Sequence, residues 1–253
     1  MPTKLPTRLG KKPLVDAVFE IRFQCEFPLA SLLSGIIYTE LHCSSIDRLP
    51  QSEIPEFIRK SDPVFHFTPL NSLRWGSMVI YLSDNSVILN AGRPYPGWAG
   101  FLESISGLLS VILNKAGGIV GSVSRFSIKY TDVIEIPKDK SPEDFLSLEL
   151  SAKASPYSFR LADTHIRSEI LIEDSINIVD VFGAGTINTN SGITKTGTIV
   201  SIDSIVNTPQ IPISEFIHGA RDSLTRLHDV NKELFFGFLS EEGLAYLEPH
   251  YEP

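Results

Sequence analysis

The order in which strand and helix patterns follow one another constrains this fold more than any other feature of the sequence. Each half is predicted to contain a strand, a helix, three or four further strands and a long helix. When Phe101 is aligned with Phe216, Val87 also falls on Ile202. We therefore predict an α+β protein with an internal duplication, whose halves are residues 13–118 and 123–247 of one compact chain.

Alternation within Leu14–Phe23 is the clearest strand signal in the first half. Ala17, Phe19, Ile21 and Phe23 lie on one face, and Asp16, Val18, Glu20 and Arg22 on the other. The remaining predictions for this half are a helix over 29–42, a loop over 44–63, strands over 64–68, 74–82 and 86–91 with a turn at Asp84-Asn85, and a helix over 98–114.

The second half begins with another alternating strand. The predictions here are a strand over 124–136, a helix start at Ser141-Pro142, strands near 157–161, 165–173, 176–182 and 196–205, a helix from Pro212, and a short helix over 241–247. Together the two halves predict an antiparallel sheet with the long helices on one face, arranged about a pseudo-twofold axis.

Net charge limits the partners of this chain. The 253 residues include 22 Lys and Arg against 30 Asp and Glu, a formal net charge of −8. Such a chain repels nucleic-acid phosphates and anionic lipid unless folding gathers its cations on one face, so nucleic acid is a disfavoured partner. The beginning of the sequence has no secretory signal pattern, and the longest apolar stretch, 105–113, is too short to span a bilayer. We expect a cytoplasmic protein without membrane association.

The cysteines and histidines give no sign of a disulfide or a metal site. Cys25 and Cys43 are the only cysteines, and both lie in apolar neighbourhoods without an adjacent cation, which predicts reduced, unreactive thiols. Six histidines are present, but they lack the spacing that brings metal ligands together on one element. We expect neither a metal nor a cofactor.

Catalytic motifs are weak in this sequence. Gly183-Ala184-Gly185-Thr186 suggests a phosphate-binding loop, yet a strand pattern rather than a helix follows it. We interpret residues 183–197 as a mobile hairpin connection whose replacement by a short linker would change stability little. No Gly-x-Ser-x-Gly nucleophile motif occurs, and no catalytic residue is predicted.

Three segments carry a resemblance to a known family. LVDAVFEIRF (14–23), VSRFSIKYTDVIEIP (123–137) and LHDVNKELFFGFLSEEGLAYLEP (227–249) resemble a sporadically distributed family of bacterial and archaeal proteins of about this length, to which no function is assigned. The patchy distribution of that family implies transfer between genomes, as in defence or mobile-element cassettes. The resemblance implies no catalytic residues for this chain.

Two groups of residues are candidates for binding. Arg93 and Tyr95 lie in a loop before Trp98, and Arg, Tyr and Trp are the residue types most enriched at interface centres. A rigid helix entry is the alternative interpretation of that loop. The second group, Glu20, Arg22, Arg125 and Lys129, is predicted to form a charged row on an open sheet face, where ordinary cross-strand ion pairs are the alternative.

These observations favour a non-enzymatic binding or recognition protein that acts on a protein partner, as the sensing or accessory component of a defence or mobile-element cassette. Two alternatives stay open. One is a carrier with an apolar ligand cavity between helices and sheet, and the other is an enzyme whose site is assembled from distant residues. The sequence leaves the oligomeric state open.

Overall fold

The computed structural model describes residues 4–148, 160–188, 192 and 194–251. Its helices are α1 (Leu29–Glu40), α2 (Glu56–Ser61), α3 (Gly97–Ala116), α4 (Pro142–Phe145), α5 (Ile213–Phe238) and α6 (Glu241–Tyr246). Its strands are β1 (Arg8–Leu9), β2 (Leu14–Gln24), β3 (Ser45–Arg48), β4 (Asn71–Trp75), β5 (Met78–Leu82), β6 (Ser86–Asn90), β7 (Ser122–Ile134), β8 (His165–Ile172), β9 (Ser175–Asn188), β10 (Thr194–Pro212) and β11 (Pro249–His250). Short 3-10 helices lie at Pro50–Glu53, Pro63–Phe65 and Leu161–Asp163. The predicted α+β class with an antiparallel sheet is confirmed.

The chain divides into two compact units, each built from discontinuous segments. The inner unit comprises Ala17–Ile128 and Ile205–Leu227, and the terminal unit comprises the described residues of Met1–Asp16, Lys129–Ser204 and His228–Pro253. β2, β7, β10 and α5 each contribute residues to both units. These units are defined by which residues pack together, and they do not test whether the two halves of the sequence are related. The halves 13–118 and 123–247 therefore stay a prediction.

In the inner unit the strand order is β3-β4-β5-β6-β2-β7-β10. Asn71 of β4 donates a hydrogen bond from Nδ2 to the carbonyl of Ala30 in α1 at 3.1 Å, which identifies the face that α1 covers. Residues directly opposite each other on paired antiparallel strands have their side chains on the same face of the sheet. Through the pairs that join β4, β5, β6 and β2, the face covered by α1 is also the face of Phe19 and Ile21 of β2. Both side chains are fully buried, so the predicted alternation of β2 is confirmed.

The terminal unit has the strand order β2-β7-β10-β9-β8, and β1 pairs with β11 beside it. One buried cluster joins β7, β9 and β10 to the end of α5; it includes Ile134, Val181, Val200, Phe235 and Phe236. The predicted helix start at Ser141 is confirmed as a capping box, in which Asp144 accepts a hydrogen bond from the Ser141 backbone N–H at 2.8 Å.

Some predicted elements are wrong in the first half. The predicted loop over 44–63 contains β3, a 3-10 helix and α2, and the predicted strand over 64–68 is a 3-10 turn followed by irregular chain. The predicted strand over 74–82 is interrupted by a hairpin turn in which Gly76 has a φ of +58°. Apolar residues in these segments follow no sustained period, so neither pattern was visible in the sequence.

The predicted connection over 183–197 is shorter than expected. β9 continues to Asn188 and β10 begins at Thr194, so most of this Gly- and Thr-rich stretch is hairpin strand. Residues 157–159 of another predicted strand lie outside the described residues, and Leu161 begins a 3-10 helix instead.

None of the helices in the described part of the chain combines the length and the apolar run that crossing a lipid bilayer requires.

Candidate functional site: two arginines around Glu20

Glu20 and Arg22 lie on β2 with their side chains on the face opposite Phe19 and Ile21, as the alternation predicts. β7 lies beside β2, and the Ser124 hydroxyl donates to the Arg22 carbonyl at 3.3 Å. This pairing brings Arg125 to the same carboxylate. Three of the residues predicted for binding are therefore brought together in the inner unit.

One carboxylate serves both guanidinium groups. Arg22 Nη2 lies 3.0 Å from Glu20 Oε2, and Arg125 Nη2 lies 4.0 Å from the same oxygen. The Glu20 carboxylate is therefore shared between two guanidinium groups on neighbouring strands.

The cluster is more covered than the sequence predicts. Side-chain exposure is 14% for Glu20, 22% for Arg22 and 23% for Arg125, so the expectation of an open charged face is wrong. Phe67 is one cause, because its ring centroid lies 3.9 Å from the guanidinium carbon of Arg22. Stacking of this kind orients a guanidinium while leaving its N–H edge for an oxygen ligand.

Arg22 has an unused hydrogen-bond donor at this place. Its Nε is buried and has no hydrogen-bond partner among the described residues. A buried N–H without an acceptor costs about 1–3 kcal/mol, so the donor is a feature that needs an explanation. An oxygen of a bound anion would satisfy it.

The sheet surface beside Glu20 is largely apolar. Ile88 of β6 is directly opposite Glu20, and Tyr81 of β5 is directly opposite Ile88, so the three side chains share one row on one face of the sheet. Ile88 and Tyr81 are half-buried. The arrangement can therefore hold a carboxylate or phosphate group while apolar atoms of the same ligand contact the row.

The other predicted residues lie elsewhere. Lys129 is exposed and belongs to the terminal unit, so the predicted row of four charges is not assembled within one unit. Arg93 and Tyr95 are half-buried, and the Tyr95 ring packs edge-on against Phe101 of α3 with centroids 6.0 Å apart. Trp98, in the first turn of α3, is half-buried rather than enclosed.

A buried polar group in the terminal unit was missed by the sequence analysis. The Tyr130 hydroxyl lies 3.0 Å from His228 Nδ1, and burial, together with Lys232, lowers the pKa of His228 to about 4. Asp132, two residues from Tyr130 on β7, is buried, and burial raises the pKa of its carboxyl to about 7. Both shifts favour the uncharged forms, which is what enclosure in a core produces.

The cysteines are free, and Cys43 is buried. Cys25 is half-buried; burial and the charge of Asp84 raise the pKa of its thiol to about 11. The thiol donates to the Phe27 carbonyl at 3.2 Å, and Asp84 forms an ion pair of 2.8 Å with Arg59 of α2. Among residues 4–148, 160–188, 192 and 194–251, no three His, Cys, Asp or Glu side chains are placed to hold a metal ion.

In comparisons with known proteins, no protein-family model and no curated protein matches this chain. The resemblance drawn from the sequence stays a prediction, and the functional argument rests on the site itself. Sequence reasoning found Glu20, Arg22 and Arg125 through alternation but missed Phe67. The two aromatic residues at 65 and 67 were the sequence feature that could have indicated a stacking partner for an arginine. The sequence analysis instead assigned them to a strand that is not formed.

Proposed function

We propose that this protein is a non-enzymatic binding protein that recognises an anionic group of a protein partner through Arg22 and Arg125. The observation that carries the proposal is the buried Nε of Arg22, a donor without an acceptor among the described residues, beside a carboxylate that Arg22 shares with Arg125. Stacking of Arg22 on Phe67 supports it, because an oriented guanidinium loses less entropy on binding.

Partner capture tests this proposal. Because both arginines are mostly covered, glutamate at these positions would place three carboxylates together, so Arg22→Gln with Arg125→Gln is the better variant. Arg48→Gln is the matched control, since Arg48 is exposed on edge strand β3 of the same unit. We expect a protein captured from the native host by the wild type and the control, identified by mass spectrometry, to be lost from the double variant.

The same experiment separates this proposal from its rivals. Equal capture by the wild type, the double variant and the control would refute the proposed arginine site, provided that the melting temperatures show each protein to be folded. A small molecule retained by the wild type in native mass spectrometry would favour the apolar-ligand carrier. The proposal includes two further points. The protein belongs to a defence or mobile-element cassette, and it is located in the cytoplasm, which is consistent with its two free cysteines.

The internal duplication with long helices on one face is part of the proposal as well. It is supported by the element order: β2, α1, β3–β6 and α3 are followed by β7, the short α4, β8–β10 and α5. An experimental structure in which residues 13–118 superpose on 123–247 with the same strand order would establish it, and a different connectivity would refute it.

A further inference from the structure

β8 is the edge strand of the sheet in the terminal unit, with β9 on its inner side and no strand from the described part of the chain on its outer side. Proteins protect exposed strand edges by keeping them short or charged. The edge strand β3 of the inner unit fits that rule, with four residues that include the exposed Asp47 and Arg48. β8 is twice as long: its eight residues pair with β9 in unbroken register, and its Leu171 is 72% exposed. Such an edge can accept another strand.

The backbone groups on the outer side of β8 belong to alternate residues. The Gly183 N–H donates to the Thr164 carbonyl at 2.9 Å, so these two residues form a hydrogen-bonded pair at the start of the ladder with β9. In an antiparallel ladder such pairs alternate with pairs that exchange no hydrogen bonds, whose N–H and C=O groups point away from the partner strand. The residues of β8 that direct these groups outward are His165, Arg167, Glu169 and Leu171.

We infer that the outer edge of β8 pairs with the same edge of a second copy of this chain, antiparallel and centred on Ser168, to form a symmetric dimer. A twofold axis at Ser168 brings each residue opposite the one that lies equally far on the other side of the centre. Arg167 of each copy is then opposite Glu169 of the other, and the outward N–H and C=O groups of these residues pair across the interface. This dimer goes beyond the proposed arginine site and does not depend on it.

The charges on β8 favour this register. Arg167 is directly opposite Asp180 of β9, and the two side chains form an ion pair of 2.8 Å. Pairing centred on Ser168 continues the alternation of charge from Asp180 through Arg167 to Glu169 of the second copy. Pairing centred on Arg167 or on Glu169 would instead place like charges directly opposite each other, which is unfavourable. The sequence of β8 is therefore complementary to itself in the register centred on Ser168.

The apolar side chains match in the same register. Ile166 and Ile170 both pack against the buried cluster of the terminal unit, and each is opposite the other across the axis, so the dimer extends that cluster from one copy to the next. Leu171 is opposite His165 of the second copy, whose ring stacks on Phe182 with centroids 3.9 Å apart. Pairing therefore gives the exposed Leu171 a flat ring system to contact.

The mass of the protein in solution tests the dimer. By light scattering over a concentration series, we expect the wild type to approach twice the mass of one chain. Glu169→Arg places two arginines opposite each other at both facing pairs, and it should weaken the dimer roughly tenfold or more. Arg48→Glu is the matched charge reversal on edge strand β3, and it should leave the dimer unchanged.

Mixing two variants tests which residues face each other. Arg167→Glu alone should also be monomeric, because glutamates then face each other at both pairs. A mixture of Arg167→Glu with Glu169→Arg restores opposite charges at both pairs, so native mass spectrometry should show a heterodimer. If Arg167→Glu does not fold beside Asp180, addition of Asp180→Asn removes the repulsion within the chain.

A cysteine cross-link tests the centre of the pairing. Ser168 would face its own copy in a pair without hydrogen bonds, where Cα atoms lie about 4.5 Å apart, within the range that a disulfide spans. In a background of Cys25→Ala and Cys43→Ala, Ser168→Cys should oxidise to a covalent dimer roughly tenfold or more faster than Leu171→Cys. Leu171 is the matched control, because it is exposed on the same strand but lies three positions from the centre.

Four results would overturn the inference. A wild type that stays monomeric up to about 1 mM would show that the edges do not pair. A dimer that Glu169→Arg leaves intact would use another surface. Equal weakening by Glu169→Arg and Arg48→Glu would show a general effect of charge rather than contact at β8. Equal rates of cross-linking for Ser168→Cys and Leu171→Cys would show random collision in place of the register centred on Ser168.

Discussion

Asp132 and His228 are two buried ionisable residues of the terminal unit whose pKa shifts act on stability in opposite directions. The folded pKa of Asp132 is raised, so its contribution is present at low pH and is lost as pH rises from about 4 to 7. The folded pKa of His228 is lowered, so its contribution is present above about 6.5 and is lost as pH falls toward 4. Between about pH 4 and 6.5 the two effects nearly cancel.

Removal of the carboxyl charge should therefore stabilise the protein at neutral pH. For Asp132→Asn, which resembles the protonated acid, we expect the free energy of unfolding to rise by about 1–4 kcal/mol at pH 7.5 and to change little at pH 4. Urea unfolding across this pH range measures the difference from the wild type. A difference that does not grow with pH would show that Asp132 is not protonated by burial.

The thiol of Cys25 is expected to react slowly in the folded protein. A shift of its pKa from 9.0 to about 11 lowers the thiolate fraction at pH 8 roughly 100-fold relative to the unfolded chain. Labelling of a Cys43→Ala variant with a disulfide reagent, with and without denaturant, measures this ratio. Asp84→Asn should accelerate labelling, because the charge of Asp84 is one of the two causes of the raised pKa. Folded-state labelling at the unfolded rate would contradict the assignment.

Individual residues of the candidate site were predictable only where they belong to a regular strand. Glu20, Arg22 and Arg125 follow from alternation, because a strand fixes which side chains share a face. Phe67 does not follow, because it lies in irregular chain whose path depends on tertiary contacts. One such contact is the partly buried ion pair between Arg59 and Asp84, 25 positions apart in the sequence. No local pattern encodes a pairing of that kind.

At the scale of elements, Gly183 shows why part of the hairpin was misjudged. A Cβ at Gly183 would overlap the backbone carbonyl of Leu161, and one at Gly197 would overlap that of Ile134. These glycines permit close backbone approach within strands, although their composition resembles that of a turn. A linker in place of residues 183–197 would remove strand residues at either end, and its expected small effect on stability stays a prediction.

Two glycine-to-alanine substitutions test this explanation. Gly183→Ala should lower the free energy of unfolding by about 1–3 kcal/mol, because backbone atoms must move to admit the methyl group. Gly219→Ala is the matched control: it lies in α5 with open space around it, and helix propensity predicts a gain of up to about 1 kcal/mol. Chemical denaturation measures both. Similar small changes at the two positions would refute the role given to Gly183.

Long periodic elements were the predictable part of the fold. β2, α1, α3 and α5 were predicted because each repeats its apolar period over ten or more residues. α2 has only six residues and β3 only four, so each offers too few positions for a period to emerge. Their formation depends on neighbours supplied by the rest of the unit.

At the scale of the whole molecule, the shared elements predict joint unfolding of the two units. β2, β7, β10 and α5 contribute to both, so neither unit can lose these elements alone. Both tryptophans of the chain, Trp75 and Trp98, belong to the inner unit and report on it by fluorescence. Gly183→Ala lies in the terminal unit, yet it should shift the fluorescence midpoint as much as the far-ultraviolet circular dichroism midpoint. An unchanged fluorescence midpoint would show that the inner unit unfolds independently.

The discontinuous make-up of the units has a consequence for synthesis on the ribosome. The inner unit needs Ile205–Leu227 and the terminal unit needs the segment that begins at His228, so neither is complete before residue 205 has emerged. Until then β7 has no β10 beside it and presents an unpaired strand edge. Chaperones can bind such an edge, and other chains can pair with it and aggregate. A chain that stops before residue 205 would therefore be a substrate for quality control rather than a half-active product.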